Sequence, residues 1–217
     1  MSVALIVLAK APAPGRSKTR LCPPCTPAEA AALAEAALVD TLEAVEGASG
    51  IGRGILALDG APGPWLGRGW RVVPQRGDGL DERLANAFAD VGGPALLVGM
   101  DTPQVSLRMI EHAAASLGAA GADAVLGPAL DGGYWAIGLR RPNASVFLGV
   151  PMSTPRTLVA QRRRLVSLGI SWRELPELRD VDTFADAVVV ASSAPRSRFA
   201  RELAELRRVP ASVGVLR

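Results

Sequence analysis

The feature that most constrains the fold is a regular alternation between short apolar runs and longer segments with helical periodicity. Apolar runs of strand length occur at 3–9, 53–59, 70–74, 95–100, 122–128, 134–139 and 170–176. Helical patterns lie between or after them, at 27–46, 80–91, 105–118, 155–168, 183–192 and near 196–208. Strands that alternate with helices predict right-handed βαβ units, and hence a mostly parallel, mixed sheet of about seven strands with helices on both faces.

Length and composition favour a single domain. The chain has 217 residues, of which 49% are hydrophobic, and this is enough for one large core. It contains no internal repeat and no long linker, so we expect residues 1–217 to form one α/β domain. The longest apolar run, SVALIVLA, is too short to span a bilayer and has no basic segment before Ser2. This predicts a cytoplasmic protein without a membrane span.

Residue usage argues against several classes of function. The net charge of +3 is scattered, apart from one cluster formed by Arg162, Arg163 and Arg164. Only 4% of the residues are aromatic, which leaves little for base stacking, so we interpret the cluster as a solvated helix face and do not favour nucleic-acid binding. The single histidine, His112, argues against a zinc site and against Ser-His or Cys-His catalysis unless His112 itself serves.

Two cysteines form an isolated C-P-P-C pair before a predicted helix. Thr26 is a suitable N-cap for that helix, Pro27 suits its first position and Glu29 its third. The positive end of the helix would lower the pKa of Cys25, so a redox role with Cys22 is one hypothesis. Ordinary loop cysteines are the favoured alternative.

Polar segments follow four of the apolar runs. They are AKAPAPGRSKTRL, PQRGDGLDERL, MDTP and DGGY. In open α/β sheets, ligands bind in the crevice beyond the carboxyl ends of the strands, so we expect these segments to meet at one edge. Their charges and glycines are typical of a site for a phosphorylated ligand.

The first of these segments concentrates cations. Its basic residues are Lys10, Arg16, Lys18 and Arg20, and the chain has no other lysine. A compact ammonium suits a phosphate oxygen, so the segment predicts a cradle for a di- or triphosphate. It is not a P-loop, because Pro12 stands where that motif requires glycine and offers no N–H group to phosphate.

Two acidic positions indicate a metal site. Asp101 directly follows the run ALLVG, and Asp182 follows the last predicted strand. Carboxylates at strand ends suit Mg²⁺ or Mn²⁺, which share their remaining positions with water and substrate phosphates, so we predict a metal held by both residues. The alternatives are N-caps: Asp101 for the helix at 105–118, and Asp182 or Thr183 for the helix at 183–192.

Residues Asp131, Gly132, Gly133 and Tyr134 form a turn between two predicted strands. A simple hairpin is one interpretation. The paired glycines would also let a ligand approach the backbone closely, with Asp131 and Tyr134 as polar walls.

Six segments resemble, in order and spacing, the bacterial family labelled rSAM/selenodomain-associated transferase 1. They are AKAPAPGRSKTRL, PQRGDGLDERLANAF, GMDTP, GPALDGGYWAIGL, MSTP and DVDTFAD, within about residues 3–190. These proposed glycosyltransferases are similar to the GT-A-like nucleotide-diphospho-sugar transferases, including the 2-phospholactate and molybdenum-cofactor guanylyltransferases. The resemblance implies a single GT-A-like, Rossmann-like domain with a nucleotide at the loop after the first strand and a divalent metal on the Asp101 loop. Unlike many relatives, this chain has Met152 before Ser153 and Gln104 after DTP.

The residues and the resemblance together give three sets of predicted site residues. The nucleotide-binding set is Ala9, Lys10, Pro14, Gly15, Arg16, Lys18, Arg20, Gln75, Gly77 and Gly79. The acceptor-binding set is Asp131, Gly132, Gly133, Tyr134, Ser153 and Thr154. Catalytic roles fall to Lys18, which neutralises phosphate charge, to Asp101, which holds the metal that does the same, and to Asp131 as general base or acceptor-binding group.

Three functions are compatible with these residues. The favoured one is a glycosyltransferase that uses a nucleotide sugar, Mg²⁺ or Mn²⁺ and a small-molecule acceptor. A nucleotidyltransferase that joins a nucleoside monophosphate, taken from a triphosphate, to a phosphorylated or carboxylated acceptor would use the same cradle and metal. A nucleotide-binding protein without catalysis is the third, and the presence of Lys18, Asp101 and Asp182 argues against it.

Overall fold

The computed structural model describes residues 3–48 and 54–208 and contains a seven-stranded sheet. Its strands are β1 (Ala4–Lys10), β2 (Ile55–Asp59), β3 (Arg71–Pro74), β4 (Ala95–Gly99), β5 (Ala124–Pro128), β6 (Tyr134–Leu139) and β7 (Trp172–Glu174). Each predicted apolar run overlaps one of these strands. Residue 53, the first of the predicted strand 53–59, lies outside the described residues, as do both ends of the predicted 1–217 domain.

The six predicted helices are all present. They are α1 (Pro27–Glu46), α2 (Leu80–Val91), α3 (Leu107–Gly118), α4 (Thr157–Ser167), α5 (Phe184–Ser193) and α6 (Arg198–Arg208). The predicted start of α1 is confirmed, because Thr26 Oγ1 accepts a hydrogen bond from the Glu29 N–H and Glu29 Oε2 accepts one from the Thr26 N–H. Two 3-10 helices, Thr19–Leu21 and Ala144–Val146, were not predicted, because three residues carry no periodic signal.

The strand order places a crevice at the ends of β1 and β4. The order is β3-β2-β1-β4-β6-β5-β7, and β1 pairs in parallel with β2 on one side and with β4 on the other. After β1 the chain adds β2 and β3 on one side of β1 and then crosses over to add β4 on the other side, which creates a topological switch point between β1 and β4. Strand β6 is antiparallel to β4 and β5, so Tyr134 at its start lies at the same edge. The predicted gathering of polar segments at one edge is thus observed.

Helices cover both faces of the sheet. Leu38 of α1 and Ile110 of α3 are buried on one face. On the other face, the ring of Phe88 of α2 stacks on that of Phe147, with their centroids 5.1 Å apart. Phe199 of α6 belongs to a further buried cluster between α1, α5 and α6. Replacing a fully buried phenylalanine such as Phe88 with alanine would cost about 3–5 kcal/mol.

Among the helices in the described ranges, none has both the length and the apolarity that a bilayer crossing requires.

Candidate active site

The bend after β1 is fixed by its own hydrogen bonds. The buried Ser17 hydroxyl accepts a hydrogen bond from the Ala13 N–H at 3.0 Å and donates one to the Ala11 carbonyl at 3.3 Å. The Ala11 N–H in turn donates to the Asp59 carbonyl at the end of β2. The segment is therefore a defined loop, and it presents its basic side chains from a fixed backbone.

Lys18 joins three segments of the site. Its Nζ lies 2.6 Å from Asp101 Oδ1, at the end of β4, and also donates to the carbonyl of Val181, which precedes α5. The Asp101 carbonyl accepts a hydrogen bond from the Val181 N–H at 2.9 Å. The Lys18 backbone is left-handed, with φ of 50°, a conformation that costs free energy in a residue with a side chain. Strain of this kind is typical of functional sites.

A cation-lined cleft, which we call the donor cleft, opens beside Lys18. Its volume is about 440 Å³. Its basic side chains are Lys10, Arg16, Lys18, Arg20 and Arg83. Asp59, Asp101 and Asp182 also line the cleft, and each forms an ion pair with one of these cations. The basic groups still outnumber the acidic ones, which favours a polyphosphate.

Gln75 and Arg83 form the far wall of the donor cleft. Gln75 Nε2 donates to the carbonyls of Ala9 and Ala57, at 2.8 and 3.1 Å, which ties β3 to the neighbouring strands. Arg83 Nη1 lies 3.3 Å from Asp59 Oδ2, and Arg83 Nε donates to the Gly77 carbonyl. The guanidinium is thus held over the cleft by groups from two different loops.

The predicted nucleotide-binding residues fall into two groups. Those that line the donor cleft are Ala9, Lys10, Arg16, Lys18, Arg20 and Gln75. Pro14, Gly15, Gly77 and Gly79 are not among its lining residues. Gly77 acts indirectly, through its hydrogen bond to Arg83, and Gly79 is the N-cap of α2.

A second cleft, the acceptor cleft, continues from the first. Its volume is about 560 Å³. Its lining includes Asp131, Gly133, Tyr134, Trp135, Met152, Ser153, Thr154, Pro155, Thr157 and Asp180. Asp101, Asp182 and Arg20 line both clefts, so they stand at the junction of the two.

The junction is acidic around Asp180, a half-buried residue with one buried carboxyl oxygen. Burial, followed by the negative charges of Asp131 and Asp101, raises the pKa of Asp180 to about 7. Asp180 Oδ1 is buried and has no hydrogen-bond partner within the described part of the chain. An unpartnered buried oxygen among carboxylates is a feature that a bound cation would satisfy.

The carboxylates at the junction suit Mg²⁺ better than a metal ion that is bound by protein side chains alone. In residues 3–48 and 54–208, no three His, Cys, Asp or Glu side chains form a ready-made metal site. Mg²⁺ commonly takes only one or two protein carboxylates and completes its shell with water and phosphate oxygens. Asp101 and Asp182 could supply those two carboxylates at the junction.

The alternative capping role for Asp182 was wrong. Thr183 is the N-cap of α5: its Oγ1 accepts a hydrogen bond from the Asp186 N–H, and Asp186 Oδ2 accepts one from the Thr183 N–H. The Asp182 carboxylate instead lies 3.4 Å from Arg20 Nη1, beside the cleft. It is therefore available to a ligand.

The Asp131–Tyr134 turn is a hairpin that also shapes the acceptor cleft. Asp131 Oδ1 accepts a hydrogen bond from the Gly133 N–H at 2.7 Å. Gly132 has φ of +88°, and a Cβ atom there would overlap the Pro155 carbonyl. The Tyr134 hydroxyl approaches Gln161 Oε1 at 3.3 Å, and burial raises the pKa of this phenol. Tyr134 is thus a neutral wall whose hydroxyl is engaged by protein groups.

The opposite wall contains a second strained residue. Ser153 has φ of 57°, and in the described ranges it and Lys18 are the only residues other than glycine with positive φ. The Thr154 hydroxyl accepts a hydrogen bond from the Arg156 N–H at 3.2 Å. The two strained residues thus line the joined clefts, Lys18 in the donor cleft and Ser153 in the acceptor cleft.

The hypothesis of an activated Cys25 was wrong. Cys25 is buried, and burial, together with the nearby Glu29 and Cys22, raises the pKa of its thiol. Burial therefore outweighs the positive end of α1. Both cysteines are free and contribute to the cluster formed with Leu21 and Leu33.

Sequence reasoning missed Arg83 and Asp59 and did not select Asp180. Asp59 ends β2 and could have been found by the strand-end rule that selected Asp101. Asp180 lies two residues before the selected Asp182, but its burial leaves no local signal. Arg83 lies in the first turn of α2, and nothing in the helical pattern shows that this side chain reaches the cleft.

A family profile described as "Uncharacterized protein conserved in bacteria (DUF2064)" matches residues 30–154. No curated protein matches the sequence significantly. Among solved structures, a proposed nucleotide-diphospho-sugar transferase from Desulfovibrio desulfuricans G20 aligns with a TM-score of 0.82 and 27% identity over 95% of both chains. This similarity confirms the predicted α/β fold class.

Two further structures share the fold at lower identity. CMP:2-keto-3-deoxy-manno-octonic acid synthetase, solved in complex with CTP, aligns with a TM-score of 0.59 and 15% identity over 90% of this chain and 99% of that chain. The 2-C-methyl-D-erythritol 4-phosphate cytidylyltransferase from Thermus thermophilus has a TM-score of 0.55 and 15% identity, over 90% and 100% of the two chains. At this identity they show the fold alone.

Proposed function

The chain belongs to the DUF2064 family, and from this premise we propose that it is a transferase that uses a nucleotide-activated donor. The observation that carries the proposal is the junction of two clefts, one lined by five basic side chains and the other by carboxylates, hydroxyl groups and apolar side chains. The similarity to a proposed nucleotide-diphospho-sugar transferase supports it. Within this class we favour a glycosyltransferase acting on a small-molecule acceptor, in keeping with the resemblance to rSAM/selenodomain-associated transferase 1.

The donor cleft would hold the diphosphate of a nucleotide sugar. Lys18, Arg16 and Arg20 would neutralise its oxygens, and the departing nucleoside diphosphate would take the electron pair of the broken sugar–oxygen bond. Mg²⁺ or Mn²⁺ held by Asp101 and Asp182 would supply further charge neutralisation. This chemistry needs no histidine, which is consistent with the composition.

The acceptor would lie in the second cleft, with its hydroxyl facing the donor sugar. Asp131 is exposed, and its Oδ1 is oriented by the Gly133 N–H, which leaves Oδ2 to accept the hydroxyl proton. As the new bond between the acceptor oxygen and the sugar forms, that proton passes to Asp131. Positioning and charge neutralisation therefore account for the main catalytic demands.

Nucleotidyl transfer is the second candidate. The basic side chains of the donor cleft, together with a bound divalent metal, would neutralise a triphosphate, whose pyrophosphate would then be the leaving group. The attacking group would be a phosphate or carboxylate of the acceptor, which needs no proton removed.

A thermal-shift screen would test the proposal. The unfolding temperature is measured with nucleoside triphosphates and with nucleotide sugars, each in the presence of Mg²⁺, Mn²⁺ or a chelator. We expect at least one nucleotide sugar to raise the unfolding temperature in a metal-dependent way, since a ligand that binds the folded state stabilises it. Preferential stabilisation by triphosphates would favour nucleotidyl transfer. Stabilisation by nucleotides without any transfer product would favour a non-catalytic binding protein, and no stabilisation at all would contradict nucleotide binding.

A further inference from the structure

A basic groove lies on the outer side of the loop that lines the acceptor cleft. Its volume is about 660 Å³, and it lies between residues 149–151 and the exposed face of α4. Three arginines line it, at positions 156, 163 and 164. Two of them belong to the cluster that the sequence analysis interpreted as a solvated helix face.

Hydrogen bonding distinguishes the arginines of this helix. Arg162 is neutralised by Glu174, with Nε 3.0 Å from Oε1. Arg164 Nη1 donates to the carbonyls of Ser145 and Leu148, each at 2.7 Å. Arg156 and Arg163 make no side-chain hydrogen bond or ion pair with any residue in the described ranges. Two guanidinium groups in the groove are therefore unpaired.

The unpaired arginines lie at the start and in the middle of α4, and the carboxylate of Asp81 near the groove accepts a hydrogen bond from the Gly149 N–H. Arg156 is the N-cap of α4 and Arg163 lies within the helix, and both line the same groove. The helix sequence, TLVAQRRRLVS, contains no Asp or Glu. A planar guanidinium binds phosphate oxygens through paired hydrogen bonds, so two of them beside one groove favour a phosphate group.

The groove and the acceptor cleft share one wall. Pro151 and Arg156 line the groove, and the residues between them, with Thr157, line the cleft. This wall is well defined, because Thr157 Oγ1 donates to the Pro151 carbonyl at 2.9 Å and the Thr154 N–H donates to Thr157 Oγ1 at 3.1 Å. A ligand that extends from the cleft across this rim would enter the groove that both arginines line.

We infer that Arg156 and Arg163 bind a phosphate group carried by the acceptor, at a distance from the atom that reacts. The inference rests on the proposed function only in identifying the ligand as the acceptor. The phosphate could belong to a free small molecule or to a lipid headgroup, and the chemistry recognised is the same. Binding at the groove can be measured without turnover.

The test follows the Nε–H signals of the arginine side chains by NMR in the full chain. The signals of Arg156 and Arg163 are assigned by their loss in Arg156→Gln and Arg163→Gln. Titration with inorganic phosphate is expected to shift both signals saturably, although phosphate also binds the donor cleft, because each signal reports on its own residue. In Arg156→Gln, the remaining Arg163 signal should require at least about tenfold more phosphate.

Vesicle sedimentation separates the two sources of phosphate. Vesicles of phosphatidylglycerol with phosphatidylcholine are compared with phosphatidylcholine alone. A lipid source predicts binding to the anionic vesicles that is lost in Arg156→Gln/Arg163→Gln and kept in the control Arg207→Gln/Arg208→Gln, which removes the same charge from the last turn of α6. A free acceptor predicts saturable phosphate shifts without vesicle binding.

The absence of both saturable shifts and variant-sensitive vesicle binding would overturn the inference. Vesicle binding that is equal in the two double variants counts as absence, since it reflects net charge. Failure here leaves the proposed function standing if nucleotides still stabilise the protein. Conversely, if phosphate binds at the groove but no nucleotide stabilises the protein, the phosphate site is supported and the proposed function is contradicted.

Discussion

The ammonium nitrogen of Lys18 lies 2.6 Å from Oδ1 of Asp101. The Lys18 side chain is only 10% exposed, whereas that of Asp101 is 49% exposed, so the acid is the more accessible of the two residues, both of which line the donor cleft. Without a donor, Lys18 is the counter-ion of Asp101. A metal that binds Asp101 would replace Lys18 as its counter-ion, and a phosphate that binds Lys18 would replace Asp101. When metal and phosphate bind together, both residues therefore keep a partner of opposite charge.

Asp101→Asn should abolish metal-dependent transfer and leave the fold intact. Asparagine still offers Lys18 an acceptor oxygen, so the free energy of unfolding should fall by no more than about 1–2 kcal/mol. Its amide is a poor substitute for a carboxylate at Mg²⁺. Activity across a metal titration and a thermal melt check the two parts. A large drop in melting temperature, with wild-type turnover indifferent to metal, would make Asp101 structural.

Substitutions of the neighbouring residues Asp182 and Thr183 should distinguish metal binding from helix capping. Asp182→Asn should raise the metal concentration needed for half-maximal activity without changing stability. Thr183→Ala removes the cap of α5, so it should lower the free energy of unfolding by about 1 kcal/mol and leave the metal requirement unchanged. Metal titrations and circular dichroism melts of both variants give the comparison. An unshifted requirement in Asp182→Asn would redirect the search to Asp131.

Asp180 should make the stability of the metal-free protein depend on pH. The pKa of Asp180 in the folded protein is raised to about 7, whereas in the unfolded chain this carboxyl group loses its proton at lower pH. Stability is thus lost as the pH rises towards 7. Asp180→Asn removes this cost, and its stability advantage over wild type should grow by more than about 1 kcal/mol between pH 5 and pH 8. Urea unfolding in chelator measures it, and a constant difference would refute the raised pKa.

The periodicity of the sequence predicted the fold because each strand and helix carries its own pattern. The strand-end rule also selected Asp101 and Asp182, and the concentration of cations after the first apolar run selected Lys18; all three residues line the joined clefts. The rule depends only on where an apolar run stops, which is visible in the sequence.

Side-chain direction could not be predicted in the same way. Arg83 reaches the donor cleft only because of the rotation of α2, and the Tyr134 hydroxyl is directed to Gln161 of α4. The pairing of Lys18 with Asp101 joins residues from two distant segments. Each of these contacts depends on tertiary packing, which leaves no periodic trace in the chain.

Gly132→Ala should disrupt the acceptor cleft. The new methyl group would overlap the Pro155 carbonyl, so the turn and the opposite wall must move apart. Gly92→Ala is the matched control, because Gly92 also has positive φ, at 68°, but has open space around it. We expect both variants to lose about 1 kcal/mol of stability from backbone strain, and only Gly132→Ala to lose more and to weaken acceptor use. Denaturant melts and acceptor titrations distinguish them, and equal losses would contradict the close contact.

The most direct test of the account is calorimetric titration of wild type and Lys18→Ala with UDP, GDP, CDP and ADP in the presence of Mn²⁺. The account predicts that at least one diphosphate binds the wild type and binds Lys18→Ala at least about tenfold more weakly, as expected for a lost charge-assisted contact of about 1.5–3 kcal/mol. Wild-type affinity in a folded Lys18→Ala variant, or no binding of any diphosphate to the wild type, would contradict the assignment of the donor cleft.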